Sequence, residues 1–237
     1  MAIPLYRELA GQLANDPGGK LKAGSVDAAI AAAVIRYSDD RPDSAIEMLS
    51  ASDGGLGLPE GWQEGFSRVV KIEYPIGHRP PTYLKPEDWF MYTLPATTGT
   101  PPVAEHTTIE LVASPPEGAN AQCIYTVKRL LDANRDTIPS KHMEALCCWA
   151  AALLCDEISA AYSANTDSTI QADSVDQTSP ARSYAQRANT LRNRYYDALG
   201  IDPKKTAAAG CDVSFRDTNS LCGSRLTHPL PWWQGRG

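Results

Sequence analysis

The chain has 237 residues, of which 43% are hydrophobic and 21% charged, and its formal net charge is −6. This composition supplies enough apolar material for a packed core and enough length for one large or two small domains. The 17 glycines and 18 prolines predict many loops. The chain does not begin with a basic, apolar and small-residue leader, so we expect no signal peptide.

The net charge is unevenly distributed along the chain. Residues 181–237 hold nine basic and four acidic side chains, a net charge of +5, which leaves −11 for residues 1–180. An acidic body with a basic C-terminal part indicates two surfaces that meet different partners.

Two helices are predicted before residue 42. Leu5, Leu9 and Leu13 share one stripe of a short helix, which the sequence DPGGK ends. Ser25 is the predicted N-cap of a second, alanine-rich helix that ends before Pro42. The pattern leaves residues 43–49 unassigned and predicts a glycine-rich loop over residues 50–61. The second helix is predicted to bury one stripe: Val26, Ile30, Ala33, Val34 and Tyr37.

A region of alternating and β-branched residues follows, separated by proline-rich linkers. It predicts four strands, at residues 68–74, 88–94, 107–113 and 122–128. Strands at this spacing favour a small antiparallel sheet or sandwich in which sequential strands pair.

Residues 138–163 form the most apolar stretch, and their spacing predicts a helix that is apolar nearly all round. The stretch is long enough to span a bilayer, but Lys141, Asp156 and Glu157 make that costly, so we expect a core helix of a soluble protein. The six cysteines include no CxxC pair and no zinc-like spacing, which favours reduced thiols in an intracellular protein.

The last predicted helix begins at Pro180, covers residues 181–199 and ends at Gly200. Its arginines form either a solvated face or a surface for an anionic partner. No helical period continues after residue 200, and the sequence ends in PLPWWQGRG. Tryptophans near the end of such a segment favour docking onto a partner.

The sequence holds no recognisable catalytic motif. Neither a nucleotide-binding loop, a metal-binding helix nor a hydrolase elbow is present, and the four histidines are scattered. His142 precedes a helix that carries Cys147 and Cys148, but no residue completes a Cys/His triad. His78 and His106 lie in loops of the strand region and would be the candidates if the protein were an enzyme.

Three segments together resemble the head–tail adaptor (head completion, connector) proteins of tailed bacteriophages. They are AAIAAAVIRYSDDRP, LPEGWQEGFSRVVKIEYPIGHRPPTYLKPEDWFMY and IPSKHMEALCCWAAALLCDEISAAYS. The resemblance covers roughly residues 25–200. It implies an α+β fold, a connector-adaptor-like helical bundle with an inserted small antiparallel sheet or sandwich, and an extended C-terminal tail. The corresponding parts are residues 1–66 (helical), 67–131 (β insertion), 132–200 (helical, same bundle) and 201–237 (tail).

The resemblance further implies a structural virion protein with neither enzymatic activity nor a cofactor. Such a protein forms a ring, expected to be a dodecamer, between the portal protein and the tail or tail-terminator (stopper) protein at the neck of the virion. It is assembled in the host cytoplasm and not on a membrane. Genomic DNA passes through its channel without specific binding, and an acidic wall suits this because it repels phosphates.

We hypothesise that residues 181–237 dock onto the portal. The candidate partner-binding residues are Arg187, Arg192, Arg194, Lys204, Lys205, Arg225, Trp232 and Trp233. Three alternatives stay open: another neck or tail-completion protein, a small intracellular enzyme that uses His78 or His106, and a DNA-binding module that uses the arginine-lined helix.

Overall fold

The computed structural model describes residues 2–52, 55–96, 106–113, 115–164 and 180–203. These residues belong to one compact unit, residues 1–204. They form four α-helices and a six-stranded antiparallel sheet that curls into a half-barrel. Most of the predicted loop at 164–179 and the predicted tail after residue 203 lie outside the described residues. The helices are α1 (Ala2–Ala14), α2 (Ser25–Asp40), α3 (Met143–Ala164) and α4 (Pro180–Leu199).

The sheet contains strands from two parts of the chain, in the order β3-β6-β1-β2-β5-β4. Its longest ladder joins β1 to β6, from the pair Asp43 and Val127 to the pair Ser50 and Asn120. Only two neighbouring pairs, β1–β2 and β4–β5, are consecutive along the chain, so the prediction of sequential pairing fails for the rest. The strands are β1 (Asp43–Ser52), β2 (Gly55–Leu56), β3 (Val69–Glu73), β4 (Trp89–Leu94), β5 (His106–Leu111) and β6 (Asn120–Val127).

The prediction of a helical bundle with a small inserted sheet is wrong. The sheet is a large part of the fold and has its own core, separate from the core of the helices. The four predicted strands are confirmed, within two residues at each end, as β3 to β6. The error arises at residues 43–49, for which the pattern predicts no element, and at residues 50–52 and 55–56, which it predicts as loop. Residues 43–52 form the central strand β1, and residues 55–56 form β2.

Strand β1 is not predicted from the sequence because several of its large apolar residues lie on its exposed face. Ile46 and Met48 point outward and are 62% and 55% exposed, whereas Glu47 lies on the inner side between them. The Glu47 carboxylate accepts hydrogen bonds from the Tyr125 hydroxyl (3.1 Å) and the Glu60 amide (2.8 Å). A satisfied carboxylate on the inner side therefore breaks the alternation on which a strand prediction depends.

The predicted core helix is confirmed as α3, preceded by a 3₁₀ turn at Ser140–His142. It packs against α1, α2 and α4, and its buried residues belong to the core that the four helices share. Ser25, the predicted N-cap of α2, is instead its first helical residue. Gly24 occupies the cap with φ 87°, and the Ser25 hydroxyl donates to Glu157 on α3 at 2.8 Å.

By length and composition, the stretch Ser140–Ser163 is also the one candidate for a membrane span among the described residues. Within its most apolar 18 residues, 56% are buried inside this chain. Packing against three helices therefore covers more than half of this apolar segment.

Arg129 joins the helices to the sheet. Its guanidinium donates to the carbonyl oxygens of Arg41 (3.2 Å), Pro42 (3.1 Å) and Thr137 (2.6 Å), and it forms a salt bridge of 3.1 Å with Asp43 at the start of β1. Its side chain is only 16% exposed. Because these partners lie on the α2–β1 connection and on the segment leading to α3, Arg129 fixes the junction between the two cores.

The first prediction concerns this junction. Arg129→Met keeps the aliphatic stem but leaves three carbonyls and Asp43 without their donor, so we expect the free energy of unfolding to fall by about 2–4 kcal/mol. Urea denaturation measures the change. Arg68→Met is the matched control: Arg68 is exposed and its guanidinium has no hydrogen bond among the described residues, so the change should stay below about 0.5 kcal/mol. Equal losses in the two variants would contradict the role given to Arg129.

Candidate partner-binding surfaces

Arg192, one of the candidate arginines, is occupied by a contact within the protein. Its guanidinium forms a salt bridge with Asp156 of α3, and a second nitrogen lies 3.4 Å from the side-chain oxygen of Asn189. The side chain is 29% exposed. Arg192 therefore helps to hold α4 against α3, and a partner would have to displace Asp156 to use it.

Arg187 and Arg194 differ from Arg192 because they are exposed. They are seven residues apart on α4, which places them on the same side of the helix at an axial separation of about 10 Å. Neither forms a salt bridge or a hydrogen bond with another described residue. The pair presents two unneutralised guanidinium groups, an arrangement that can bind carboxylates or phosphates.

The remaining candidate residues lie outside the described part of the chain. These are Lys204, Lys205, Arg225, Trp232 and Trp233. Their role in docking stays a prediction from the sequence.

The histidine and the cysteines near the start of α3 do not form a nucleophile–base pair. His142 Nδ1 lies 2.6 Å from the Tyr37 hydroxyl, whereas Cys147 Sγ lies 3.8 Å from the carbonyl oxygen of Tyr6. Cys147 is completely buried, and burial raises the pKa of its thiol to about 12. A thiol so hard to ionise is a poor nucleophile.

The other potential ligands and nucleophiles are also dispersed over the described residues. Burial raises the pKa of the Cys123 thiol to about 11 and raises the pKa values of Cys148 and Cys155. His78 is exposed in the turn after β3, and His106 is the first residue of β5. Over the described ranges, no three histidine, cysteine or carboxylate side chains are grouped as a metal site would require.

An aliphatic groove of about 450 Å³ lies between α1, α2 and residues 129–131. The salt bridge between Arg7 and Asp27, 2.5 Å long, borders it. Ile35 on α2 is 57% exposed and Leu130 is 41% exposed. The aliphatic lining consists mainly of Ile3, Ile30, Val34, Ile35, Leu130 and Leu131.

The exposed side of α2 continues this apolar surface. Ala28, Ala31 and Ala32 are exposed beside Ile35. The sequence itself carries a signal for this surface. Ile35 lies outside the predicted buried stripe of α2, so an isoleucine at that position was already an apolar residue without a place in the core.

The second prediction concerns His142. Desolvation lowers its pKa below the usual value of 6.5, and the nearby cations of Lys141, Arg41 and Arg129 lower it further. The unfolded chain binds the proton more readily, so the stability that His142 contributes is complete above about pH 6.5 and is lost as the pH falls through the folded-state pKa. We expect His142→Asn to lose less stability than the wild type between about pH 7 and pH 5, measured by urea denaturation.

The control for this prediction is His78→Asn, because His78 is exposed. That variant should keep the wild-type dependence of stability on pH. An unchanged profile in His142→Asn would show that other groups cause the loss at low pH.

The structure thus brings together two of the candidate residues, Arg187 and Arg194, and assigns Arg192 to the packing of α4. It adds an apolar surface on α1 and α2 that the sequence analysis did not propose. No protein-family model matches this chain, and no curated protein matches it.

Proposed function

We propose that the protein is a head–tail adaptor of a tailed bacteriophage. In this role it is the subunit of a ring that joins the portal to the tail and continues the DNA channel. The resemblance of residues 25–200 to adaptor proteins suggests the role, and the surface of the described residues supports it. The proposal assigns the subunit contacts to the apolar surface and the portal contact to the basic C-terminal part.

The observation that carries the proposal is the exposed aliphatic surface on α1 and α2. Exposed apolar patches of this kind, bordered by charged groups, mark protein–protein contacts in soluble proteins. The alanines on the exposed side of α2 leave room for a neighbouring backbone to approach closely, and Ile35 offers a larger side chain to bury. A ring needs such a contact to be repeated between identical subunits, with a different surface on each side.

The charges of the chain are consistent with two further contacts. The acidic character of residues 1–180 suits the wall of a channel, because it repels DNA phosphates. The exposed pair Arg187 and Arg194 lies on α4, the last helix before the basic tail. An anionic surface of the portal would bind this pair with bidentate hydrogen bonds.

The third prediction tests the ring contact. Ile35→Glu places one carboxylate in every subunit contact, where its desolvation opposes assembly. We expect the wild type to form closed rings on purified portal particles and the variant to form none, as measured by the mass of the complexes. Val112→Glu is the control, because Val112 is 56% exposed and follows β5, far along the chain from α2.

The control should assemble as the wild type does. Rings of normal mass from Ile35→Glu would remove α2 from the subunit contact. Thermal unfolding of both variants establishes that the substitutions leave the fold intact.

The fourth prediction tests the contact with the portal. Reversing both charges in the double variant Arg187→Glu, Arg194→Glu should weaken binding to the portal at least about tenfold. A chain that ends at residue 203, which keeps Ile201 against the helical core, should lose more, because it lacks all the remaining candidate residues. Pull-down on immobilised portal measures both, and Arg68→Glu is the control for a charge reversal elsewhere. Wild-type affinity in both the double variant and the shortened chain would contradict docking through residues 181–237.

The same two arginines favour one alternative, a DNA-binding module. A module that neutralises several phosphates would lose affinity for DNA steeply as salt increases, whereas an acidic channel would bind DNA very weakly at any physiological salt concentration. A salt titration of DNA binding with the same double variant separates the two functions.

A further inference from the structure

Strand β4 is an uncharged apolar strand at the edge of the sheet. Its sequence is WFMYTL, and it pairs only with β5 in the order of the sheet. Four of its six side chains are large, apolar and exposed: Phe90 (48%), Met91 (39%), Tyr92 (42%) and Leu94 (37%). Soluble proteins usually protect an edge strand with lysine, proline or a covering segment, because an unprotected edge pairs with other strands.

The opposite edge of the sheet, β3, is protected by the chain itself. The Leu84 amide donates to the Ile72 carbonyl at 2.8 Å, and the Tyr74 amide donates to the Thr82 carbonyl at 3.1 Å. A bridge between Glu73 and Tyr83 completes this cover. Among the described residues, β4 is therefore the terminal strand whose outer side is left open along its whole length.

The ladder between β4 and β5 determines which peptide groups of β4 point outward. The Val112 amide donates to the Asp88 carbonyl at 2.9 Å, and Trp89 is opposite Leu111. Because hydrogen-bonded and non-hydrogen-bonded pairs alternate in an antiparallel ladder, the even-numbered residues from 90 to 94 direct their peptide groups to β5. The peptide groups of Trp89, Met91 and Thr93 point away from β5, and no described residue bonds to them.

We propose that β4 pairs with β4 of a second copy of this chain. The two strands run antiparallel about a two-fold axis at Met91, so that Met91 is opposite the partner's Met91 and Trp89 is opposite the partner's Thr93. The two six-stranded sheets then join into one continuous sheet of two subunits.

The place of β4 at the end of the sheet is the reason for choosing a second copy. Head-to-tail pairing of terminal strands needs two different free ones on each molecule, whereas β4 is the terminal strand that the described residues leave open along its whole length. Pairing of terminal strands between copies then uses β4 twice, which is a two-fold contact. Because β4 carries no charge, two identical strands can meet without the like-charge repulsion that pairing of identical charged strands would cause.

The register follows from the outward peptide groups. With Met91 on the axis, all three outward residues face outward residues of the partner, and every amide on that edge finds a carbonyl. A shift by one residue towards the C-terminus would place Pro95, which has no amide hydrogen, opposite Trp89. In the chosen register Phe90 is opposite the partner's Tyr92 twice, and aromatic pairs are among the most stabilising across strands.

This pairing does not depend on the proposed ring. A two-fold contact closes at two copies, and the ring requires a separate contact on α1 and α2. A failure of the ring experiments with Ile35→Glu would leave the β4 contact untouched, and the reverse also holds.

The experiment uses the full chain without portal. Sedimentation equilibrium should show a dimer of the wild type, and Tyr92→Lys should weaken dimerisation about tenfold, because it removes both cross-strand aromatic pairs. Met91→Pro should abolish the dimer, since it removes an outward amide at the axis and none that bonds to β5. Ile46→Lys is the matched control: Ile46 is 62% exposed on β1, away from the edge, and this variant should dimerise as the wild type does.

Amide hydrogen exchange by NMR gives a second readout with single-residue detail. In the wild-type dimer the amides of Met91 and Thr93 should be protected from exchange. In Tyr92→Lys these two amides should exchange rapidly, whereas the amides of residue 92 and of Leu94, which bond to β5, should stay protected. A monomeric wild type would overturn the proposal. So would a dimer that both edge variants leave intact, or protection of Met91 and Thr93 in a monomer, which would mean that another segment of the same chain covers β4.

Discussion

The described part of the chain is built around one constraint: α3 is apolar on nearly every side and has to be covered on most of its surface. A helix with a polar face could lie on a surface, but α3 needs neighbours on most sides, and α1, α2 and α4 supply them. Fully buried alanines line this shared core, among them Ala33 on α2 and Ala188 on α4. Covering α3 therefore requires helices from both ends of the chain, and the sheet is inserted between them.

Each covering helix also contributes a buried tyrosine whose hydroxyl reaches a polar partner. Tyr6 donates to Asp136 at 3.2 Å and Tyr195 donates to Asp40 at 2.6 Å, while Tyr37 pairs with His142. Burial and the adjacent carboxylates raise the pKa of both Tyr6 and Tyr195, so these phenols stay protonated and act as donors. Hydrogen bonds are directional, whereas contacts between alanine side chains are not. These three hydrogen bonds therefore fix the rotation of each helix about its axis and its position along that axis. The partners of Tyr6 and Tyr37 lie on the segment before α3, which Arg129 also holds, so helix packing and the junction with the sheet stabilise each other.

The sequence predicted the elements well and their assembly poorly, for physical reasons that particular residues show. The period of α3 and the alternation of β3 to β6 were readable because burial there follows hydrophobicity. It does not in β1, where Glu47 turns inward to Tyr125 and Ile46 turns outward, so the central strand gave no period. Without β1 the pairing of the sheet could not be deduced, since β6 bonds to β1 and β3 rather than to its neighbour in sequence. For the surfaces, the sequence grouped three arginines on α4 but could not show that Asp156 of α3 occupies Arg192.

The distribution of polar and apolar groups carries the functional argument one step further. Enzyme sites concentrate ionisable side chains with altered pKa values in a cleft, with room for a substrate beside them. Here the described groups with altered pKa values are tyrosines, cysteines, His142 and Arg36, and the causes are burial together with neighbouring charged and polar side chains. The exposed groups include aliphatic and aromatic side chains on α2 and β4, together with Arg187 and Arg194 on α4, which form no salt bridge with another described residue. A protein whose ionisable groups are used in packing and whose apolar groups are exposed gains free energy when it associates with another protein. Several separate surfaces of this kind fit a subunit that binds more than one neighbour at once.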